Sequence, residues 1–202
     1  MIELIDLNNS EPYSIFENLY KKAVIKKQKH IEAIAISSFD NKVNSPDSRF
    51  VNLKYVINDE WIFFSNYESP KADQFFQNCN ISCLFFWEKI NTQIRMKAKI
   101  SKTNSKISDR HFSKRSKPKN ALAISSKQSK EISSYEKIKD NFKMTLSSEN
   151  LMKRPDYWGG FSFTPYYFEF WESNEFSLNK RKVFKFDEDK WKSFILQPLL
   201  FH

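Results

Sequence analysis

The sequence predicts a mainly β protein with helices (α+β), built as an antiparallel barrel to which the helices are attached. Roughly seven segments have the composition of strands, most strands follow their neighbours closely along the chain, and helical periodicity is confined to limited parts of it. No internal repeat or low-complexity linker divides the 202 residues. The whole chain, 1–202, is therefore predicted to be a single domain.

The first part of the chain contains one predicted helix and three predicted strands. Residues 12–28 place apolar side chains at helical spacing with lysines opposite. Residues 31–39, 50–57 and 61–67 are rich in β-branched and aromatic side chains, which favours strands. The polar residues 40–48 are predicted to form a loop.

A short helix and two further strands are predicted next. Ser69 and Pro70 are typical of an N-cap and a first helical residue, which predicts a helix over 71–78. Residues 81–88 are predicted to form a strand. Apolar and polar residues alternate over 92–102, as in a half-buried strand.

The last part of the chain contains two polar helices and then strands. Residues 105–117 and 129–144 are predicted helices, and the small residues 120–129 between them are predicted to form a loop. A long aromatic strand over 158–172 follows. The chain ends in a predicted hairpin that turns at 187–189.

Composition excludes several classes of protein. Gly159 and Gly160 are the only glycines, and one Gly-Gly pair builds neither a dinucleotide-binding fingerprint nor a P-loop. Two cysteines, Cys79 and Cys83, and three scattered histidines favour buried, inert thiols over a zinc site or a disulfide. The histidines and the lack of a glycine elbow also disfavour a nucleophilic triad.

Sequence patterns also bear on localisation. The N-terminal segment has no basic region followed by an apolar run, so no signal peptide is expected. No stretch approaches the roughly 20 apolar residues of a membrane span. A cytoplasmic protein without a membrane partner is therefore expected.

The net charge of +9 is concentrated in one segment. Ten basic and two acidic residues lie within 99–131. This segment is interpreted as a solvated lysine-rich surface, a nucleic-acid patch or an anion pocket for a small phosphate. Nucleic acid is the least favoured partner, because the aromatic residues lie in predicted strands rather than among the lysines.

Side chains of the kind that bind phosphate adjoin the aromatic strands. Arg49 and Lys54 are five residues apart, so a regular strand would send them to opposite faces. Either a bulge lies between them, or the two serve different ligands. The whole set of candidates is Arg49, Lys54, Ser65, Lys71, Arg115, Gln128, Ser129 and Arg181.

Several segments together form a recognisable order of motifs. They are SRFVNLK (48–54), FFSNYESPKA (63–72), LFFWEKINTQIRMKAKISK (84–102), SDRHFSKRSKPKNALAISSKQS (108–129), and PDYWGGF (155–161) with FEFW (168–171). In this order they resemble the motifs of the pyridoxamine 5′-phosphate oxidases, and the resemblance spans nearly the whole chain.

The resemblance implies an antiparallel split β-barrel and a homodimer that holds FMN between its subunits, with residues from both chains. By position in the matching motifs, the FMN contacts would be Arg49, Phe50, Val51, Lys54, Phe64, Ser65, Lys71, Gln93, Gln128, Ser129, Trp171 and Arg181. A small phosphorylated substrate would contact Lys54, His111, Arg115, Lys119, Ser177 and Asn179.

The chain departs from the family pattern at the substrate. Ser177 and Asn179 stand where the family has an arginine and a histidine that hold the pyridine ring. His111 replaces a phosphate-binding tyrosine, Lys119 a serine, and Pro70 a basic residue on the flavin side. The flavin site is therefore expected to be intact and the ring-recognition site to be rebuilt.

The implied activity is oxidation of the 4′ carbon of pyridoxine or pyridoxamine 5′-phosphate, by hydride transfer to FMN. Oxygen would be reduced to hydrogen peroxide, and pyridoxal 5′-phosphate would be formed. No side chain is assigned a catalytic role, because the cofactor supplies the chemistry. The alternatives are a related FMN oxidase for another planar substrate, as in phenazine pathways, and a flavin- or pyridoxal-phosphate-binding protein without turnover.

Overall fold

The computed structural model describes residues 1–147, 150–173 and 178–198. Within these ranges the chain forms nine strands and five helices. The strands are β1 (Glu3–Ile5), β2 (Ala33–Asp40), β3 (Ser45–Ile57), β4 (Glu60–Asn66), β5 (Asn80–Trp87), β6 (Thr92–Lys102), β7 (Trp158–Glu172), β8 (Lys180–Asp187) and β9 (Lys190–Ile195). The helices are α1 (Glu11–Ile25), α2 (Pro70–Gln77), α3 (Ser105–Lys114), α4 (Lys117–Ser125) and α5 (Tyr135–Leu146).

Six of these strands close a barrel. Each neighbouring pair in the ring β3, β2, β5, β6, β7, β4 is antiparallel, and β4 pairs back with β3. β8 and β9 extend the sheet beyond β7. The predicted barrel is confirmed, with one addition: β1 pairs in parallel with β3. β1 is only three residues long, too short for alternation to reveal it.

Aromatic rings fill the barrel and attach α1 to it. Trp61, Phe63, Phe161 and Phe163 lie on the paired strands β4 and β7 and are fully buried. Phe16 of α1 packs on Trp61 with 4.4 Å between ring centroids. The apolar periodicity of 12–28 therefore predicted the buried side of α1 correctly.

Two loop predictions were wrong. β3 begins at Ser45, inside the predicted loop 40–48, because β2 continues to pair with it as far as Asp40 opposite Ser45. α4 occupies most of the predicted loop 120–129. The side chain of Asn120 is buried there and donates to the carbonyls of Phe112 and Leu151, which are distant contacts that local composition does not reveal.

The two glycines allow other side chains to approach the backbone. A Cβ on Gly159 would lie 2.2 Å from Tyr67 Oη, and one on Gly160 would lie 2.2 Å from Thr103 Cγ2. Both glycines pair with β4, opposite Ser65 and Phe64 respectively. The Gly-Gly pair therefore fixes the segment of β4 that carries two predicted site residues.

The remaining expectations concern cysteines, metals and membranes. Cys83 is buried as expected, whereas Cys79 is exposed because it lies in the connection between α2 and β5. Across the described ranges, no three His, Cys, Asp or Glu side chains are grouped as a metal site. None of the helices within those ranges is long and apolar enough to cross a membrane.

Candidate functional site

A cleft of about 570 Å³ lies against the outer side of β3 and β4. The N-terminal part of α2, α3, the turn before α4 and the segment after α4 also contribute to it. Ten of the predicted site residues line this cleft: Phe50, Val51, Lys54, Phe64, Ser65, Lys71, His111, Arg115, Lys119 and Gln128. Distant parts of the sequence are thus brought together as the motifs implied.

A β-bulge places Lys54 in the cleft. Leu53 pairs with Phe63 while Tyr55 pairs with Ile62, so Lys54 is an extra residue on β3. The bulge interrupts the strict alternation of the strand. It is the first of the two arrangements expected for Arg49 and Lys54, and it places Lys54, but not Arg49, in the lining of the cleft.

One end of the cleft is formed by a buried lysine with hydroxyl and amide partners. Lys71 Nζ lies 3.3 Å from both Ser65 Oγ and Ser69 Oγ. Burial, followed by the nearby charge of Arg49, lowers the pKa of Lys71 to about 8. Gln128 is held beside this group, since its Oε1 accepts from Ser65 Oγ at 3.1 Å. Lys71 donates to no carboxylate in the described chain, so an anionic ligand would be the first charged group to accept from it.

Arg49 lies behind this end rather than in the cleft lining. Its guanidinium donates to Ser38 Oγ at 2.7 Å, Gln74 Oε1 at 2.8 Å and Asp47 at 2.5 Å. Burial opposes the charge on Asp47, yet the hydrogen bond from Arg49 keeps the pKa of this carboxyl below its usual value. The sequence did not predict this network, because Gln74 is 25 residues from Arg49.

The other end of the cleft is aromatic and cationic. The His111 ring stacks on Phe64 with 3.8 Å between centroids, and its Nδ1 lies 2.8 Å from the hydroxyl of Tyr55. Burial, and then the charge of Arg115, lower the pKa of His111 to about 4. His111 is therefore neutral at neutral pH, beside several cations.

Arg115 is held at this end by a ring and a carbonyl. Its guanidinium lies 4.4 Å from the ring centroid of Trp158, and its Nη2 donates to the carbonyl of Lys119 at 2.8 Å. Its Nη1 is buried and has no hydrogen-bond partner in the described chain. An unpaired buried guanidinium nitrogen is costly, and an anionic ligand would satisfy it.

Three predicted FMN residues lie together elsewhere. Gln93, Trp171 and Arg181 are directly opposite one another on β6, β7 and β8, and we call them the β6–β8 row. None of the three lines the cleft of its own chain. Arg181 donates to Glu169, a buried carboxylate that sequence reasoning did not single out.

The remaining predicted residues lie outside the cleft or outside the described chain. Ser129 is exposed in a separate hollow of about 360 Å³ between α4 and α5. Asn179 is partly buried just before β8 and does not line the cleft. Ser177 lies outside the described residues.

Similarity to known proteins extends over almost the whole chain. A pyridoxine/pyridoxamine 5′-phosphate oxidase of Rippkaea orientalis is 31% identical over 193 residues, which cover 94% of this chain and 91% of that protein. One of Leptospira biflexa is 32% identical and covers 93% and 89% of the two chains. The chain belongs to the pyridoxine/pyridoxamine 5′-phosphate oxidase family. It is accordingly an oxidoreductase of the pyridoxamine 5′-phosphate oxidase type.

Solved structures agree with the split-barrel fold expected of a pyridoxine/pyridoxamine 5′-phosphate oxidase. PhzG from Burkholderia lata 383, in complex with tetrahydrophenazine-1-carboxylic acid, superposes with a TM-score of 0.89 at 23% identity and covers 94% of this chain and 93% of its own. A pyridoxamine 5′-phosphate oxidase-related, FMN-binding protein from Nostoc punctiforme has a TM-score of 0.76 at 13% identity, with coverages of 91% and 97%. The predicted split barrel is confirmed.

A family model matches the C-terminal strands of the chain. The matching description is the pyridoxine 5′-phosphate oxidase C-terminal dimerisation region, over residues 158–198. Trp171 and Arg181 lie inside this range. Two members of the β6–β8 row therefore belong to a segment associated with dimerisation.

Proposed function

We propose that the chain is an FMN-dependent oxidase of pyridoxine or pyridoxamine 5′-phosphate that forms pyridoxal 5′-phosphate. One observation carries the proposal: a single cleft has two separate cationic ends, one at Lys71 and one at Lys54, Arg115 and Lys119. Glu3 is the only carboxylate residue among the described lining residues. Two anionic groups, one from a cofactor and one from a substrate, match this arrangement.

The Lys71 end suits the phosphate of FMN. Lys71, Ser65 and Ser69 offer one charged and two neutral donors, and the first turn of α2 lies beside them. Gln128 adds an amide at the same place. This donor set fits a phosphate monoester bound without a metal ion.

The other end suits a second phosphate, that of the substrate. Lys54 and Lys119 are point charges, and Arg115 has a buried nitrogen that lacks a partner among the described residues. Phe64 and Trp158 form a flat apolar wall next to these cations, with 5.4 Å between parallel rings. A planar ring that carries a phosphate combines both features.

We propose that a second copy of the chain completes the site. Gln93, Trp171 and Arg181 do not line the cleft of their own chain, and a homodimer would place them against the partner's cleft. Phe86 lies opposite Gln93 and is 54% exposed, as expected of a ring that is covered in a dimer. The dimerisation-region match supports the same assembly.

Bound FMN would supply the redox chemistry, accepting a hydride from the substrate's 4′ carbon and returning the electrons to oxygen as hydrogen peroxide. The protein contributes binding and orientation. One phosphate would be anchored by Lys71, Ser65 and Gln128. The other would be anchored by Lys54 and Arg115. Two anchors in one cleft would fix the distance between the two ligands. The apolar wall of Phe64 and Trp158 would exclude water from the ring.

A second candidate is a related FMN oxidase for another planar substrate. It is favoured by Ser177 and Asn179, which replace the arginine and histidine expected over a pyridine ring. Ser177 lacks the charge of an arginine, and Asn179 lacks the imidazole ring of a histidine. The cleft itself suits either substrate, because its phosphate-type donors do not read the ring.

Anaerobic flavin reduction separates these candidates. The purified protein should be yellow with a flavin spectrum, and pyridoxine 5′-phosphate should bleach it without oxygen. A colourless protein that does not bind added FMN overturns the cofactor proposal. A yellow protein that is not bleached overturns the substrate proposal, and a large gain of activity in the double variant S177R/N179H would then indicate that only the ring pocket has changed.

A further inference from the structure

His111 has two ring nitrogens in different surroundings. Nδ1 lies 2.8 Å from the hydroxyl of Tyr55, whereas Nε2 has no hydrogen bond to any described residue. The ring is fixed by its stack on Phe64, with planes 5° apart, and it lines the cleft. One edge of the imidazole is therefore held by the protein, and the other is available to a ligand.

The charges around His111 keep it neutral. Burial is the main factor that opposes a positive imidazole. The charges of four surrounding cations add to it: Arg115 just after α3, Lys54 on β3, Lys114 in α3 and Lys119 on α4. Arg110 on α3 and Glu3 on β1 also adjoin the ring, and Glu3 is the one acidic group there. A neutral imidazole carries a single N–H, on one nitrogen or the other.

Tyr55 determines which ring nitrogen of His111 carries the hydrogen. The Tyr55 residue is 8% exposed, and His111 Nδ1 is the only hydrogen-bond partner of its hydroxyl in the described chain. A Tyr55 hydroxyl that did not donate to Nδ1 would have no acceptor in the described chain, which is unfavourable. With Tyr55 as the donor, Nδ1 accepts and the hydrogen is on Nε2.

We infer that His111 is a neutral hydrogen-bond donor, through Nε2–H, to an anionic phosphate group in the cleft, and that Tyr55 is the positioning residue that fixes this tautomer. The inference deepens the proposed function and rests on it for the identity of the ligand as a phosphate ester. It adds a specific role for Tyr55, whose hydroxyl acts on the phosphate through His111. A cation at position 111 would bind any anion, whereas a fixed neutral donor favours an anion whose oxygen lies where Nε2–H points.

The tautomer is measured directly by long-range ¹⁵N–¹H spectra of the FMN-loaded protein. Only three histidines occur, and H111Q identifies the signals of His111. The expected wild-type signal is a neutral Nε2–H imidazole that stays neutral down to about pH 4. In Y55F the two tautomers should become mixed. A wild-type Nδ1–H tautomer, or an imidazole that titrates near its usual pH of about 6.5, would overturn the inference.

Binding of inorganic phosphate, titrated by calorimetry into the same protein, tests the donor. H111L should weaken binding about tenfold or more, because a hydrogen bond to a charged ligand is lost. H111Q should restore part of the affinity through its amide N–H, and Y55F should lose several-fold. H30N, at an exposed histidine, is the matched control and should bind as wild type.

Equal affinity of wild type, H111L and Y55F would overturn the role of the donor. The flavin content of the purified protein distinguishes this failure from failure of the proposed function. Absence of bound flavin counts against the FMN oxidase, whereas unchanged phosphate affinity in a flavin-loaded protein counts against His111 and Tyr55. Should H111L fold poorly, Y55F and the spectra decide the question.

Discussion

Glu169 accepts two hydrogen bonds from Arg181 on one carboxylate oxygen, from Nε at 2.9 Å and from Nη2 at 2.7 Å. Its other oxygen accepts from Arg95 at 2.8 Å and from the hydroxyl of Tyr167 at 3.1 Å. The Glu169 residue is 2% exposed, so these donors replace water completely. Arg181, a member of the β6–β8 row, is thus held in position by a carboxylate on the same sheet.

The variant E169Q should be strongly destabilised. An amide accepts fewer charge-assisted hydrogen bonds and presents an N–H₂ to two guanidinium groups, so a loss of about 3 kcal/mol is expected. Urea unfolding measures it. E188Q removes an exposed ion-pair partner of Lys192 and should leave the midpoint unchanged. Equal midpoints for the two variants would contradict the structural role of Glu169.

The variant D47N should bind FMN more tightly. Asp47 competes with a phosphate for Arg49, and neutralising it releases a cation close to Lys71. A gain of about fivefold in affinity is expected, the equivalent of about 1 kcal/mol. Quenching of flavin fluorescence measures it. D40N, which removes a carboxylate that does not pair with Arg49, is the control. Weaker binding by D47N would show that Asp47 instead orients Arg49 for the cofactor.

FMN affinity should fall as pH rises above about 8. Lys71 loses its proton near this pH in the free protein, and the neutral amine attracts an anion less strongly. Affinities at pH 7, 8 and 9 test this, with K71Q expected to bind weakly and without the pH dependence. K42Q, at an exposed turn, should retain it. A flat profile in the wild type would indicate that Lys71 does not contact the phosphate.

The same lysine should affect folding in the opposite sense. Its pKa is about 8 in the folded chain and has an ordinary value of 10.5 when unfolded. Between these pH values the unfolded state binds more protons, so stability of the flavin-free protein rises with pH across this window. Urea titrations at pH 8 and at pH 9.5 give the free energy of unfolding of wild type and of K71Q. The rise between the two pH values should be larger in the wild type, and an equal rise in both proteins would contradict the contribution of Lys71.

The variant G160A should be destabilised by about 1–3 kcal/mol through overpacking. Its new Cβ would lie 2.2 Å from Thr103 Cγ2 and 3.1 Å from the ring of Phe64. The added change T103S removes that methyl group, so the double variant should recover part of the stability. Thermal unfolding measures both. T164A, at an exposed position on the same strand, is the control, and full additivity of G160A and T103S would exclude this clash.

Local patterns predicted the parts of the fold in which burial follows the period of the element. The alternation over 92–102 predicted β6, and the pair Ser69-Pro70 predicted the start of α2. Tertiary contacts decided the exceptions. α4 forms over a stretch of small residues because Asn120 and Ala121 are buried against neighbouring elements, which composition alone does not indicate.

The same limit applies to the site. The motifs assigned Lys54, Ser65 and Lys71 to one site, and all three line the same cleft. They did not reveal that Arg49 is occupied by Asp47, because Asp47 lay in the predicted loop 40–48, whereas the two residues are in fact two positions apart on β3. Nor does any sequence period predict the bulge at Lys54, which depends on the register between β3 and β4.

The separation of the β6–β8 row from the cleft has a genetic consequence in the proposed dimer. A lesion at Lys71 and a lesion at Arg181 would affect different halves of each composite site. Chains that carry one lesion each would, when mixed, place both defects in one site and leave the other site whole. Two inactive alleles expressed together would then complement each other, and activity would depend on the ratio in which the two chains are made.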